Sequence, residues 1–224
     1  MTTVNRTAAV DLATFGISIL IIGTGLGVVL IGPTVLMPVH WDIRGDADGW
    51  AGREIVGLLI AGLGLFNLLI AGGIGLFAAR SGDPARRRAL RFGQLVVLLT
   101  LTGVSLFVGA SSLSGAVTIR TAIPMAGLSL IFILTGAFLG RVGPNPVVGV
   151  RTPWTYKSRL AWDRSNRLAG RLLFLIGLAG LVSAPWAIQP FALIALIVAV
   201  IVAAVWSVIE SWRVWRTDPD RQPF

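Results

Sequence analysis

The chain has 224 residues, of which 55% are hydrophobic and 13% charged, with a net charge of +9. A soluble domain carries about a quarter charged residues, so this composition indicates a polytopic membrane protein. The basic residues flank apolar runs, which is typical of membrane anchors and not of a nucleic-acid-binding surface. Cysteine is absent from the sequence, which excludes disulfides, thiolate nucleophiles and cysteine-ligated zinc.

Six apolar stretches approach the roughly 20 residues that cross a bilayer. The first is too long for the core of a secretory signal peptide, so we expect a retained helix. Two prolines, Pro185 and Pro190, predict a tight turn between the last two stretches. The predicted transmembrane helices lie at about 12–36, 55–79, 92–113, 121–140, 170–187 and 189–211.

These stretches predict an all-α integral membrane protein that forms a single membrane domain over 1–224. Within it we expect a first helical hairpin at 1–80 and a four-helix part at 90–224. The loops after the second and fourth stretches hold twelve basic residues, whereas the other loops hold three. Basic residues favour the cytoplasmic side. Both termini and the polar segment 144–171 are therefore predicted to be cytoplasmic, and the loop 38–53 to face outward.

Small residues at a spacing of four predict where helices touch. Gly23 and Gly27 form one such step and Gly136 and Gly140 another. We expect these steps to pack helices within one chain, with dimerisation as the alternative. The oligomeric state stays open.

Ionisable residues are nearly absent from the six stretches, with Asp11 and Glu210 only at the boundaries. Such residues commonly mark proton and ion pathways, so a proton-coupled transporter lacks its expected carboxylate. Asn67 is expected to bind a neighbouring helix. A polar cavity around Asn67 and Gln94 would instead favour a small-solute exporter or permease.

The outer loop 38–53 contains two tryptophans, Trp41 and Trp50, and is predicted to form a hydrogen-bonded turn that packs them at the interface. The alternative is a metal site serving a membrane-bound catalyst, since imidazole and carboxylates are ordinary ligands. We expect no metal and no cofactor. The candidate ligands in the alternative are His40, Asp42, Asp46 and Asp48.

The segment 144–171 is rich in polar and aromatic residues. Thr152 followed by Pro153 predicts a helix start. At about 100° per residue, Trp154, Trp162 and Ala169 share one face of that helix. Asp163 lies four residues from both Arg159 and Arg167, so ion pairs are available. The pattern predicts an amphipathic helix on the cytoplasmic membrane surface that leads into the fifth span.

Two sets of residues carry a resemblance to a known family. The inner set comprises Asn145, Gly149, Arg151, Thr152, Pro153, Trp154, Thr155, Ser158, Trp162, Asn166 and Arg167. It resembles the signature of the SdpI-like immunity membrane proteins. The outer set resembles a small membrane module often found ahead of that signature, and comprises Pro38, His40, Trp41, Gly45, Asp48 and Gly49.

The resemblance implies that the chain protects a bacterium against a secreted, membrane-active peptide toxin. It also implies signalling, in which the membrane protein holds a cytoplasmic repressor once toxin is present. The inner set would then be a partner-binding surface at the bacterial cytoplasmic membrane. No nucleophile–base pair or phosphate-binding loop is visible in the sequence, so we expect a protein that is not an enzyme.

Overall fold

The computed structural model of the chain describes residues 5–141, 143–144 and 148–222. Nine elements follow one another in this part of the chain. In order they are α1 (Asn5–Ile31), β1 (Met37–Trp41), β2 (Ala47–Ala51), α2 (Arg53–Arg80), α3 (Pro84–Leu113), α4 (Ala122–Leu139), α5 (Pro153–Lys157), α6 (Arg159–Ser183) and α7 (Phe191–Thr217).

Among the described residues, six helices are long and apolar enough to cross a membrane: α1, α2, α3, α4, α6 and α7. The prediction of a helical, multi-pass membrane protein is confirmed. The fifth span differs in length, because α6 begins at Arg159 and not near 170. The predicted turn between the last two spans lies between Ser183 and Phe191.

The chain divides into two compact units, residues 1–82 with 90–121 and residues 83–89 with 122–224. Most of α3 therefore lies with the first helical hairpin, whereas the sequence division grouped it with the last three spans. The single membrane domain stays a prediction.

In the first unit, α1 and α2 touch at the level of their backbones. A Cβ atom built on Gly25 would lie 2.5 Å from the carbonyl oxygen of Gly57. Only glycine permits this approach. The predicted contact through Gly23 and Gly27 is wrong, because added Cβ atoms there meet no described atom within 4 Å. Gly25 lies on nearly the opposite side of the helix from that pair.

A polar network joins α1 to α3 in the same unit. The Arg91 guanidinium forms an ion pair with Asp11 and donates to Gln94 Oε1 at 2.8 Å. Gln94 Nε2 donates in turn to Asp11 at 3.0 Å and to Thr14 Oγ1 at 3.1 Å. Gln94 and Thr14 are buried. Asp11, which was predicted to lie at the boundary of the first span, is therefore paired with Arg91, which was predicted to lie in a loop.

The outer loop contains two short antiparallel strands, β1 and β2. The prediction of a purely helical chain missed this hairpin. The connection between α3 and α4 lies against it, since Ile119 N donates to Gly45 O at 2.8 Å and Trp41 Nε1 donates to Ala116 O at 2.8 Å. Two loops that were predicted to face the same side are thus in contact.

The predicted orientation is testable because the chain has no cysteine of its own. In intact cells, Arg44→Cys and Ser114→Cys should react with an impermeant thiol reagent. Gly82→Cys and Tyr156→Cys should react only after the membrane is opened. All four positions are exposed. Labelling of Tyr156→Cys from outside would contradict the orientation.

Candidate functional site

The segment before α5 is held by its contact with α6. Val150 N donates to Asn166 Oδ1 at 2.7 Å, and Asn166 Nδ2 donates to Trp162 O at 2.9 Å. Gly149 has a φ of +136°. A Cβ there would lie 2.7 Å from Asn166 Oδ1 and 2.9 Å from the Trp162 ring. Gly149, Trp162 and Asn166 thus form one close-packed support.

The next residues form α5 through a capping box. Thr155 N donates to Thr152 Oγ1 at 3.2 Å, and Thr152 N donates to Thr155 Oγ1 at 2.9 Å. Pro153 occupies the first turn, so the predicted helix start is confirmed. Thr152 Oγ1 also lies 2.9 Å from Ser211 Oγ. The cap therefore binds α5 to α7.

Ser158 separates α5 from α6 and has two roles. Its hydroxyl oxygen accepts from Ala161 N at 2.9 Å and caps α6. The same hydroxyl donates to Asp218 Oδ2 at 2.5 Å. Asp218 caps the C-terminal end of α7, and both residues are buried. Ser158 therefore joins the start of α6 to the end of α7.

These caps alter the predicted amphipathic helix. Instead of one helix from 152, the chain forms α5 and then the first turns of α6, interrupted at Ser158. The predicted face is buried at Trp162 and Ala169, with α4 and α7 packed against α6. Within the described residues, Asp163 forms no ion pair with Arg159 or Arg167, although the spacing allows both.

The inner set of residues thus falls into two groups. Six are buried or packed within the support: Gly149, Thr152, Thr155, Ser158, Trp162 and Asn166. Arg151, Pro153 and Arg167 are exposed, and Trp154 is half-buried. Asn145 lies outside the described residues. The exposed group is the part of the inner set that a partner can reach.

A cleft of about 490 Å³ opens beside this group. Residues 148–152 form one edge, and α4, α6 and α7 form the walls. The walls are mostly apolar, with Phe132, Leu173 and Val200 among their side chains. The cleft suits an apolar chain with a polar group near Arg151.

The outer set forms the strand hairpin. His40 Nδ1 lies 2.5 Å from Asp48 Oδ1, and the two side chains are 72% and 51% exposed. Gly49 pairs with His40 across the strands, and Gly45 turns the chain with a φ of +94°. Pro38 is buried. Trp41 packs against Phe107 with ring centroids 6.2 Å apart, whereas Trp50 is exposed.

The four candidate metal ligands have separate roles. His40 contacts Asp48, and Asp46 accepts from Thr118 Oγ1 at 3.2 Å. The Asp42 carboxylate accepts hydrogen bonds from the amides of Asp46 and Arg44. These bonds lower the pKa of Asp42, and the bond from Asp46 has the largest effect. Among the described residues, no three His, Asp or Glu side chains converge to hold a metal ion.

The polar cavity that would favour a permease was expected to include Asn67 and Gln94. Gln94 lines a cleft of about 420 Å³ between α1, α2 and α3, but Asn67 is not among its lining residues. Asn67 is buried, and its amide nitrogen donates to Thr102 at 3.4 Å. Asn67 therefore joins α2 to α3, as predicted for a residue that binds a neighbouring helix.

Sequence reasoning missed the residues that complete the inner support. Ser211 sits in an apolar helix and carries no local signal for its contact with Thr152. Asp218 precedes a proline, which is a signal for a helix end, but its bond to Ser158 spans 60 residues. Such pairs follow from helix packing and not from local pattern.

The inner set lies within a stretch of the chain that matches a known protein family. Residues 141–210 match the SdpI/YfhL protein family. The matched stretch contains the whole inner set, α5, α6 and most of α7, so the predicted resemblance of this part of the chain to the family is confirmed. The resemblance of the outer set stays a prediction.

The chain is also 30% identical over 90 residues to the immunity protein SdpI of Bacillus subtilis (strain 168). The aligned residues make up 40% of this chain and 43% of that protein. No solved structure matches the chain.

Gly149→Ala should destabilise the support, because it combines a positive φ with a clash against Asn166 and Trp162. We expect a loss of about 1–3 kcal/mol in the free energy of unfolding, measured by thermal unfolding in detergent. The control is Gly127→Ala in α4, where an added Cβ meets no described atom within 4 Å. Equal stability of the two variants would contradict the proposed packing.

The bond between Ser158 and Asp218 should appear as coupling in a double-mutant cycle. Ser158→Ala and Asp218→Ala are expected to be non-additive by about 1–3 kcal/mol, since the acceptor is a carboxylate. Thr217→Ala replaces Asp218→Ala in the control cycle, because within the described part of the chain the Thr217 hydroxyl bonds only to carbonyl oxygens of α7. Coupling of equal size in both cycles would show that the Ser158–Asp218 bond is not the source of the coupling energy.

Proposed function

We propose that this chain is an immunity protein that protects a bacterium against a membrane-active peptide toxin. The observation that carries the proposal is the family match over 141–210, together with the likeness to a protein named for immunity. The protein would act in the cytoplasmic membrane, with both termini cytoplasmic. It would act by binding and not as an enzyme.

The inner set supports this role because its buried and exposed residues do different things. The buried residues build a close-packed support, which leaves Arg151 exposed and Trp154 half-buried at its surface. Arg151 lies at the edge of the 490 Å³ cleft. An apolar segment of the peptide would enter the cleft, while the guanidinium of Arg151 would bind a carboxylate or backbone carbonyl of the same peptide.

The outer hairpin would meet the toxin first, because it is predicted to face the side from which a secreted peptide arrives. The exposed surface of α5 would transmit the toxin-bound state to a cytoplasmic repressor. Tyr156 is 60% exposed there, and aromatic residues are frequent anchors in protein interfaces.

The assay is survival of a toxin-sensitive host that expresses each variant, scored beside membrane abundance. Arg151→Lys and Trp154→Ala should each abolish protection at normal abundance, since lysine cannot reproduce the planar, multi-donor contacts of arginine. Ala204→Trp should also abolish protection, because Ala204 lines the cleft and the indole would fill it.

Two controls match these variants. Arg87→Lys makes the same exchange in the first turn of α3, at a position assigned only to topology. Val205→Trp places the same indole on the neighbouring exposed position of α7, outside the cleft. Both should protect fully. Full protection by Arg151→Lys, Trp154→Ala and Ala204→Trp at normal abundance would overturn the role of this surface.

A further inference from the structure

A second cleft, of about 460 Å³, lies beside the crossing of α4 and α6. Its lining combines three arginines with apolar and small residues and contains no carboxylate. The arginines are Arg141, Arg167 and Arg171. We propose that this cleft, the arginine cleft, binds the headgroup phosphate of an anionic phospholipid with an acyl chain along α6.

The helix crossing explains why the arginines converge. A Cβ on Gly136 would lie 2.5 Å from Phe174 N, and a Cβ on Gly170 would lie 2.8 Å from Gly136 O. The backbones of α4 and α6 are therefore in contact. A Cβ on Gly140 would lie 3.8 Å from Cγ of Arg167, so the stem of that side chain passes over the glycine. The glycines bring the end of α4 within reach of two arginines on α6.

The charges in this cleft need a counterion. Arg167 and Arg171 are four residues apart on one helix, an arrangement in which like charges repel. Arg141 adds a third positive charge from the end of α4. In the described part of the chain, none of these guanidinium groups lies within ion-pair distance of a carboxylate. An anion in the cleft would relieve this repulsion.

The apolar lining decides between a lipid and a free anion. Phe174 and Leu175 are 37% and 59% exposed and extend the arginine cleft along α6. The arginines lie beside the end of α4, a helix long and apolar enough to cross a membrane. A bilayer around that helix would place its anionic headgroups near these side chains. Guanidinium groups bind phosphate in a bidentate manner. A phosphate attached to an acyl chain therefore fits both parts of the cleft.

The test uses a fluorophore on the single thiol of Leu178→Cys, one turn beyond Phe174 and outside the cleft lining. The full chain is reconstituted in vesicles, and quenching by brominated phosphatidylglycerol is compared with quenching by brominated phosphatidylcholine. We expect a preference for phosphatidylglycerol of about tenfold or more, since each basic residue near an anionic lipid contributes roughly fivefold. Equal quenching by the two lipids would overturn the proposal.

The triple variant Arg141→Gln, Arg167→Gln, Arg171→Gln should lose that preference. The matched control is Arg86→Gln, Arg87→Gln, Arg88→Gln, which removes the same charge from α3 and should keep it. Equal loss in both variants would assign the preference to net charge and overturn the site. Should the first variant fail to accumulate, Arg171→Gln alone is expected to lose roughly fivefold, and no loss would contradict the proposal.

A final arm separates lipid from free phosphate. Inorganic phosphate, compared with chloride at equal ionic strength, should leave the quenching unchanged. Displacement of the brominated lipid by inorganic phosphate would show that the arginines hold a free anion and overturn the lipid assignment. The outcome is independent of toxin immunity, which this assay does not measure.

Discussion

The close contact between α4 and α6 is the constraint on which the second unit depends. It exists because Gly136 and Gly170 carry no side chain, so the two backbones meet directly. Helices in lipid gain little from burying apolar surface against each other and depend instead on close packing and hydrogen bonds. This contact sets the position of α6, and α6 carries Trp162 and Asn166 beneath the preceding segment.

The described residues 148–158 precede α6 and have few helical hydrogen bonds, so many of their backbone groups need other partners. Side chains supply several of these partners. Asn166 accepts from one amide, Thr152 and Thr155 cap a short helix, and Ser158 caps α6. The same residues make up much of the inner set, which lies within the stretch that matches the SdpI/YfhL family. These side chains are polar because they bind the backbone of the segment. Few residues of the inner set are therefore left at the surface for a partner.

The two clefts beside this segment differ in chemistry. One has mostly apolar walls and a single arginine at its edge, and the other combines three arginines with a shorter apolar wall. The first suits an apolar segment of a peptide, and the second suits a phosphate that bears a hydrocarbon chain. Under the proposed immunity function, the protein meets a membrane-active peptide within a bilayer and must distinguish that peptide from lipid. Separate clefts for the two would serve this need.

Several features of the protein were predictable from sequence because they depend on local pattern. The number of spans follows from runs of apolar residues, and the start of α5 follows from Thr152 and Pro153. The signature was recognisable from residue types at fixed spacing. The partners of Ser158, Thr152 and Asp11 were not, because each bond joins residues at least 59 positions apart in the chain. Which glycines carry helix contacts also depended on the tertiary structure, since helix rotation decides whether Gly23 or Gly25 faces α2. Local pattern determines which helices form, whereas their packing determines which side chains meet.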